Sequence, residues 1–330
     1  MKQPRRDRCW PLVILAILLA ATVGVPAPSA EGSFERTLAV TGPVELEVST
    51  GSGRISVRAG DASTVHISGT IKASRSWRLD ENEAERKVRY LQSNPPIEQH
   101  GNFIRIGHIE DRELSRNISI SYDLVVPVET RLRSQTGSGS QSVVGIRGPA
   151  KVSTGSGSVK VEDIGDDVRA ETGSGDMEVD SVKGTTHAST GSGSIRASGI
   201  GSSFVVATGS GGVRLEQTGA GDGKVETGSG SVELQNVRGA LRIRTGSGNI
   251  TAQGEPTGEW SLHTGSGRVL VHLPSGTAFD LNAHTSSGHI STDHPITVQG
   301  TIGRGELRGK VRGGGPLLEL ETGSGNIQIE

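Results

Sequence analysis

The chain has 330 residues, only 3% of them aromatic, and its 34 Lys and Arg nearly balance its 36 Asp and Glu. Four of the basic residues and one acidic residue precede position 31, so the remainder has 30 basic and 35 acidic residues, a net charge of −5. This acidic balance argues against a nucleic-acid partner, for which a basic stripe is expected. The only cysteine, Cys9, also precedes position 31, so a mature chain without this segment can form neither a disulfide nor a thiolate metal site.

Residues 1–30 have the organisation of a signal peptide. A basic start is followed by an apolar run over residues 12–21 and by small residues up to Ala30; the basic side chains are Lys2, Arg5, Arg6 and Arg8. Because the apolar run is shorter than the ~20 residues of a membrane-spanning helix, cleavage and export are predicted. Retention of the segment as an uncleaved membrane anchor is the alternative.

Residues 31–135 form an N-terminal β segment. One strand pair surrounds Thr50, and apolar alternation predicts later strands over residues 65–71, 103–106 and 118–126. We expect this segment to cap the first coil of the repeat array that follows, because arrays of this kind need an atypical end to shield their first repeat.

One short helix is predicted within this segment, over residues 80–92. Ala84, Val88 and Leu91 share one of its faces. Asp80 and Glu83 form a capping-box-like start, and the sequence Asn-Pro-Pro after the helix ends it.

Residues 136–330 are an array built on the tetrapeptide T-G-S-G. The motif occurs ten times in the chain, with a degenerate T-S-S-G copy at Thr285. One copy begins at Thr50, in the N-terminal segment. The others are mostly 18 or 19 residues apart and begin at Thr136, Thr154, Thr172, Thr190, Thr208, Thr227, Thr245, Thr264 and Thr322. Self-similarity at a fixed short period is typical of a solenoid and outranks any local motif.

Each repeat contains two alternating strands. Apolar residues occur five and seven positions after Thr, namely Val159 and Val161, Met177 and Val179, Ile195 and Ala197, Val213 and Leu215, and Val232 and Leu234. They recur four and two positions before Thr, for example at Phe204 and Val206, and a second bend lies at Ile146, Ile164, Val182, Ile200 and Val237. Such alternation places one face in a core and the other in water.

Two folds fit this unit. An antiparallel meander would leave an uncovered apolar face and exposed edges, whereas a β-solenoid stacks equivalent strands around a narrow core of small branched side chains. We therefore predict an all-β, β-helix-like solenoid of ~18-residue two-strand repeats, continuous with residues 31–135 in one elongated domain. In the bend and the turn of each repeat, glycine is expected to supply positive φ angles, and the Thr and Ser hydroxyls are expected to cap the turn locally.

The motifs indicate no catalytic, cofactor-binding or metal-binding residues. The glycine turns lack the Lys and the following helix of a phosphate loop. Only Asp176 follows a T-G-S-G turn, whereas calcium-binding repeats need regularly placed aspartates. Asp163, Asp166 and Asp167 lie together in a turn, where Asp is common for backbone reasons, so an enzyme acting on polysaccharides is a remote alternative.

Five histidines cluster late in the chain, at His263, His272, His284, His289 and His294. His263 and His284 each directly precede a Thr of the repeat, so we expect them to stack on adjacent coils, where they could share a transition metal. Without a third ligand in register, exposed surface histidines are the expectation. Glu226 and Arg244 occupy the same column and are expected to form a surface ion pair.

Longer motifs extend the repeat: residues 122–139 read YDLVVPVETRLRSQTGSG, residues 273–288 read LPSGTAFDLNAHTSSG, and residues 313–329 read GGGPLLELETGSGNIQI. With the repeated T-G-S-G-x-I/V-x-V they resemble the bacterial DUF4097 proteins, a family of candidate adhesins, over roughly residues 40–330. The resemblance implies an exported β-strand-repeat, solenoid-like domain. The family has no established catalytic residues, so none is transferred.

Together these features predict an exported, non-enzymatic β-solenoid that serves as an adhesin-like contact or scaffold protein of the cell envelope, in the periplasm, on the cell surface or outside the cell. The expected partners are a surface glycan or an envelope protein, with no cofactor. The alternative is a periplasmic or membrane-anchored structural or sensor protein without an external ligand.

Overall fold

The computed structural model describes residues 30–60, 63–74, 81–298, 303 and 305–330. The predicted signal, apart from Ala30, and the predicted capping residue Asp80 lie outside these residues. In the described part of the chain, no helix is both long and apolar enough to span a membrane.

The N-terminal segment contributes strands at the outer edge of the first coil. Its elements are β1 (Glu31–Ala39), β2 (Val44–Ser52), β3 (Ile55–Gly60), β4 (Thr64–Ala73), α1 (Glu81–Ser93), β5 (Ile97–His100), β6 (Phe103–Ile106), α2 (Arg112–Ser115) and β7 (Ile118–Pro127). β2 and β3 form the coil around Thr50; β6 pairs with β2 and β7 with β3, both in parallel, and the antiparallel strands β4 and β1 extend outward from β7.

The predicted helix is confirmed as α1, shifted by one residue. Ala84, Val88 and Leu91 are buried as predicted, and the helix packs on β1 and β4, with Gln92 Nε2 donating a hydrogen bond to Ser33 O at 3.2 Å. The short helix α2 was not predicted, because four residues are too few for a helical period to be seen.

The remaining chain forms two ladders of parallel strands. The strands that lead into T-G-S-G are β8 (Thr130–Ser138), β10 (Ala150–Ser156), β12 (Val168–Ser174), β14 (Thr186–Ser192), β16 (Phe204–Ser210), β18 (Gly223–Ser229), the second halves of β19 (Val232–Ser247) and β20 (Ile250–Ser266), β22 (Phe279–Ser287) and β26 (Leu317–Ser324). The strands that follow it are β9 (Gln141–Val144), β11 (Val159–Ile164), β13 (Met177–Val182), β15 (Ile195–Ile200), β17 (Val213–Gln217), the first halves of β19 and β20, β21 (Val269–His272), β23 (Ile290–Thr292) and β27 (Ile327–Ile329).

Equivalent residues of successive coils lie side by side, which confirms the solenoid and excludes the meander. Thr154, for example, pairs with Thr136 on one side and Thr172 on the other, in parallel. The residues predicted to point inward are buried; Val161 and Val179 are both 0% exposed. We call each coil a rung, and rungs stack at ~4.8 Å.

Close packing between rungs explains the glycines of the motif. An ideal Cβ on Gly191, the second residue of its T-G-S-G, would lie 2.6 Å from Gly173 O, and one on Gly193 would lie 2.1 Å from Gly175 O. The last glycine of five other copies has a positive φ angle, as predicted: Gly53 (158°), Gly211 (154°), Gly248 (152°), Gly267 (149°) and Gly325 (148°). Gly191 and Gly193 do not. They are needed because the neighbouring backbone leaves no room for a side chain.

The threonine hydroxyls bond between rungs rather than locally, contrary to the prediction. Thr190 Oγ1 donates to Gly175 O at 3.1 Å, and Thr208 Oγ1 donates to Gly193 O at 2.9 Å. The acceptor is the last glycine of the preceding motif. The hydroxyl thereby satisfies a turn carbonyl and ties each rung to its neighbour.

Positive φ angles of the left-handed helical region also occur at the mid-repeat bend. One residue per repeat is left-handed there in five repeats: Gly145 (φ 80°), Asp163 (53°), Ser181 (56°), Gly199 (65°) and Asn236 (58°). Glycine, Asn and Asp adopt this conformation most readily, so Asp163 has a backbone reason for its position.

The C-terminal rung is inserted out of chain order. Thr322 pairs with Thr264 on one side and with Thr285 on the other, so the last rung of the sequence lies between the two preceding ones. The end of the stack is closed by β25 (Glu306–Val311), which pairs antiparallel with β22 and with β24 (Ile296–Thr297).

Candidate functional site

One outward face of the solenoid carries a row of basic side chains. Three residues before each Thr, successive rungs place Arg133, Lys151, Arg169 and His187 side by side on β8, β10, β12 and β14. We call these four residues the basic column. They alternate with the inward residues of the same strands, and all four are exposed.

The basic column continues an ion-pair network at the first rung. Glu47 on β2 accepts from Arg105 Nε at 3.3 Å and lies 3.0 Å from Arg133 Nη1. Arg169 Nη2 lies 2.6 Å from Glu171 Oε1 on its own strand. Lys151 has no ion-pair partner among the residues that the structure describes, although it stands between two arginines.

A groove of about 310 Å³ lies beside the basic column. Its lining includes the whole column, Glu47, and the neighbouring residues Glu45, Arg131 and Asp167, which stand two positions before Glu47, Arg133 and Arg169 in the chain. The lining also includes buried apolar residues of the same strands, among them Leu46 and Val168. The groove crosses the rungs, so an extended ligand in it would meet one equivalent side chain per rung.

On the opposite face of the solenoid, some charged side chains form ion pairs between rungs. Lys160 Nζ lies 3.3 Å from Glu162 and 3.7 Å from Glu178 of the next rung. The hydrogen bond that Lys160 donates to Glu162 and the negative charges of both glutamates raise the pKa of Lys160. Arg214 and Glu233, also on adjacent rungs, approach to 2.6 Å.

The prediction that His263 and His284 occupy adjacent rungs is wrong. Glu321 of the inserted C-terminal rung lies between them, and His263 Nδ1 is 3.0 Å from Glu321 Oε2. Within the described ranges, no group of three or more His, Cys, Asp or Glu side chains could hold a metal ion.

The predicted ion pair between Glu226 and Arg244 is also not formed. The two residues do lie side by side, but the ion pair of Glu226 is with Lys224 of its own strand, at 2.9 Å. An exposed pair of either kind contributes little stability.

The clustered aspartates serve the backbone. Asp167 Oδ1 accepts from Thr185 N of the next rung at 2.7 Å, and Asp166 Oδ1 accepts from Asp167 N at 2.8 Å. Asp176, after its T-G-S-G turn, accepts from Ser194 N at 2.8 Å. These carboxylates therefore satisfy backbone donors, mostly between rungs.

The basic column was not predicted from the sequence, although the sequence carries a signal for it. The four residues stand at one constant offset, three residues before Thr136, Thr154, Thr172 and Thr190. The net charge is a sum over the whole chain, so a negative value does not reveal a row of basic side chains on one face.

Comparison with solved structures finds three similar chains, each described as a candidate adhesion protein. One from Parabacteroides distasonis is 10% identical, with a TM-score of 0.38, and the match covers 90% of this chain and 97% of that one. One from Bacteroides fragilis is 12% identical with a TM-score of 0.31, covering 91% and 97%. One from Clostridium sporogenes is 12% identical with a TM-score of 0.25, covering 90% and 99%.

A search of curated protein sequences finds no match to this chain. A family model, by contrast, matches residues 34–330, which include the N-terminal strands, the whole repeat array and the inserted last rung. The chain belongs to the Toastrack DUF4097 family.

Proposed function

We propose that the protein is an exported, non-enzymatic contact protein of the bacterial envelope, of the adhesin-like kind. The observation that carries this proposal is the column structure: eleven rungs hold equivalent residues in register, from Thr50 to Thr285. Side chains thus recur at ~4.8 Å along a rod of ~50 Å, which suits repeated weak contacts with a polymeric partner. The signal-like residues 1–30 support export.

In the same proposal, residues 31–135 form the N-terminal cap of one elongated domain. Support comes from β6 and β7, which cover the outer edges of β2 and β3, and from α1, which covers β1 and β4. A single protected fragment in limited proteolysis supports this organisation; a stable fragment that starts near residue 136 contradicts it.

The experiment is protease shaving of intact cells, followed by fractionation and N-terminal sequencing, with an adhesion assay of a deletion strain. We expect a chain that starts near Glu31, is lost on shaving, and whose deletion lowers attachment of cells to their native matrix. A shaving-resistant protein in the soluble periplasmic fraction supports the internal scaffold instead. Retention of Met1 in the membrane fraction supports the anchored form.

A further inference from the structure

The basic column places like charges side by side, which lowers the stability of the fold. Like charges directly opposite each other on neighbouring strands are destabilising. Arg133, Lys151 and Arg169 nevertheless occupy three successive rungs. Like charges also adjoin at Arg196 and Arg214 on the opposite face and at Lys224 and Arg242 of the same offset, so the groove, and not the like charges alone, distinguishes the basic column.

The neighbouring groove suggests a binding function for these stacked cations. The unpaired Lys151 lies at its middle, and Arg133 and Arg169 flank it, so three cationic groups face one space of about 310 Å³. Guanidinium and ammonium groups of this kind bind carboxylates through charge-assisted hydrogen bonds. Glu45 and Asp167, which line the same groove, offer acceptors for hydroxyl donors.

We propose that this groove binds an acidic polysaccharide, with its chain lying across the rungs. Its carboxylates contact the basic column and its hydroxyls donate to Glu45 and Asp167. The rung spacing of ~4.8 Å is close to the length of one sugar unit in an extended chain, so acidic groups can meet successive rungs in register. The proposal names the partner of the contact function proposed above and rests on it.

The charges around the groove favour a glycan over other polyanions. Glu45 and Asp167 line the same space as the cations and would repel the closely spaced phosphates of a nucleic acid. A lipid surface needs a broad basic patch, whereas here the cations form a single row. A sugar chain carries hydroxyl donors beside its carboxylates and therefore suits both the cations and the acidic acceptors of the groove.

The test measures binding of the purified protein to polygalacturonate, with dextran, duplex DNA and anionic lipid vesicles as comparison probes. The variant Lys151→Gln/Arg169→Gln removes two cations from the groove. The matched control Lys224→Gln/Arg242→Gln removes one lysine and one arginine from the same offset on rungs outside the groove. In each variant one acid loses its ion-pair partner, Glu171 or Glu226. Thermal melts establish that both variants fold.

We expect wild-type protein to bind polygalacturonate and not dextran, with affinity that falls as salt rises. The groove variant should weaken binding about tenfold or more, and the control less than about threefold. The proposal is overturned if the wild type does not bind polygalacturonate, if both variants weaken binding equally, or if DNA or vesicles bind more tightly. If polygalacturonate binding fails while shaving and attachment behave as expected, the contact function stands and only the ligand assignment falls. If polygalacturonate binds but the protein resists shaving, the outward-facing function falls.

Discussion

A glycine-to-alanine comparison at one motif position tests whether rung packing fixes the T-G-S-G repeat. Gly191 and Gly51 are both second residues of the motif, and neither has a positive φ angle. A Cβ on Gly191 would lie 2.6 Å from Gly173 O, whereas a Cβ on Gly51, in the first rung, has nothing within 4 Å. The two substitutions therefore differ in the neighbouring rung and not in the local conformation.

The expected magnitudes follow from these contacts. To lengthen this contact from 2.6 Å to the 3.4 Å at which ordinary contacts begin, Gly191→Ala must move two hydrogen-bonded rungs apart by roughly 0.8 Å, and overpacking of this kind lowers the free energy of unfolding by about 1–3 kcal/mol. Gly51→Ala meets no atom and restricts the unfolded chain, so we expect a change between zero and about 1 kcal/mol of stabilisation. Gly193→Ala, whose Cβ would be 2.1 Å from Gly175 O, should be the most destabilising.

The assay is denaturant unfolding followed by circular dichroism, with Ser192→Ala as the control because Ser192 is an exposed residue of the same turn. The control should change the unfolding free energy by less than about 0.5 kcal/mol. Equal effects of Gly191→Ala and Gly51→Ala would refute the reasoning, since local conformation and not rung packing would then account for the glycines.

Four further predictions concern the core. Tyr122 is 1% exposed and its hydroxyl has no hydrogen-bond partner in the described structure, so Tyr122→Phe should stabilise the fold by about 1 kcal/mol in the same unfolding assay; destabilisation would indicate a hidden partner. Burial raises the pKa of Tyr122 above its ordinary 10.0 in the folded protein. Above pH 10 the phenol therefore ionises in the unfolded chain while it stays protonated in the folded one, and the free energy of unfolding falls as pH rises. Melts at about pH 9 and 11 should show a smaller loss in Tyr122→Phe, and equal losses would contradict this cause. Thr186 is 0% exposed with an unpaired hydroxyl, between the apolar Val168 and Phe204 of adjacent rungs, so Thr186→Val should raise the melting temperature; a lowered one would show that the hydroxyl is bonded. Val161 and Val179 are stacked and fully buried, so changing both to Asp should abolish cooperative unfolding, and a nearly unchanged melt would mean that they do not point inward.

Much of the architecture was predictable because the repeat encodes it locally. The positions of Val161, Val179 and Phe204 within the alternation place them in the core, and the structure confirms each of them. The apolar face of α1 was readable from helical period in the same way. The constant offset of the basic residues from Thr is also visible in the sequence. It indicates a row of neighbouring side chains only when the rungs are known to stack in chain order.

The contacts between rungs could not be read in this way. The Thr190 hydroxyl has acceptors nearby in sequence, and only the stacked structure shows that it bonds to Gly175 of the preceding rung. The requirement for Gly191 likewise comes from Gly173, eighteen residues away in the chain and one rung away in space. Local turn chemistry accounts for neither.

The sequence by itself determined the period, the inward and outward faces and the parallel register, because every T-G-S-G copy repeats the same strand pattern. Only the tertiary structure decided the order of the last rungs. Copies this similar can pair with one another in more than one order, so the position of Thr322 between Thr264 and Thr285 depends on which neighbours complete the end of the stack. That order separates His263 from His284 by Glu321, and it shows why residues at equivalent motif positions need not be neighbours in space.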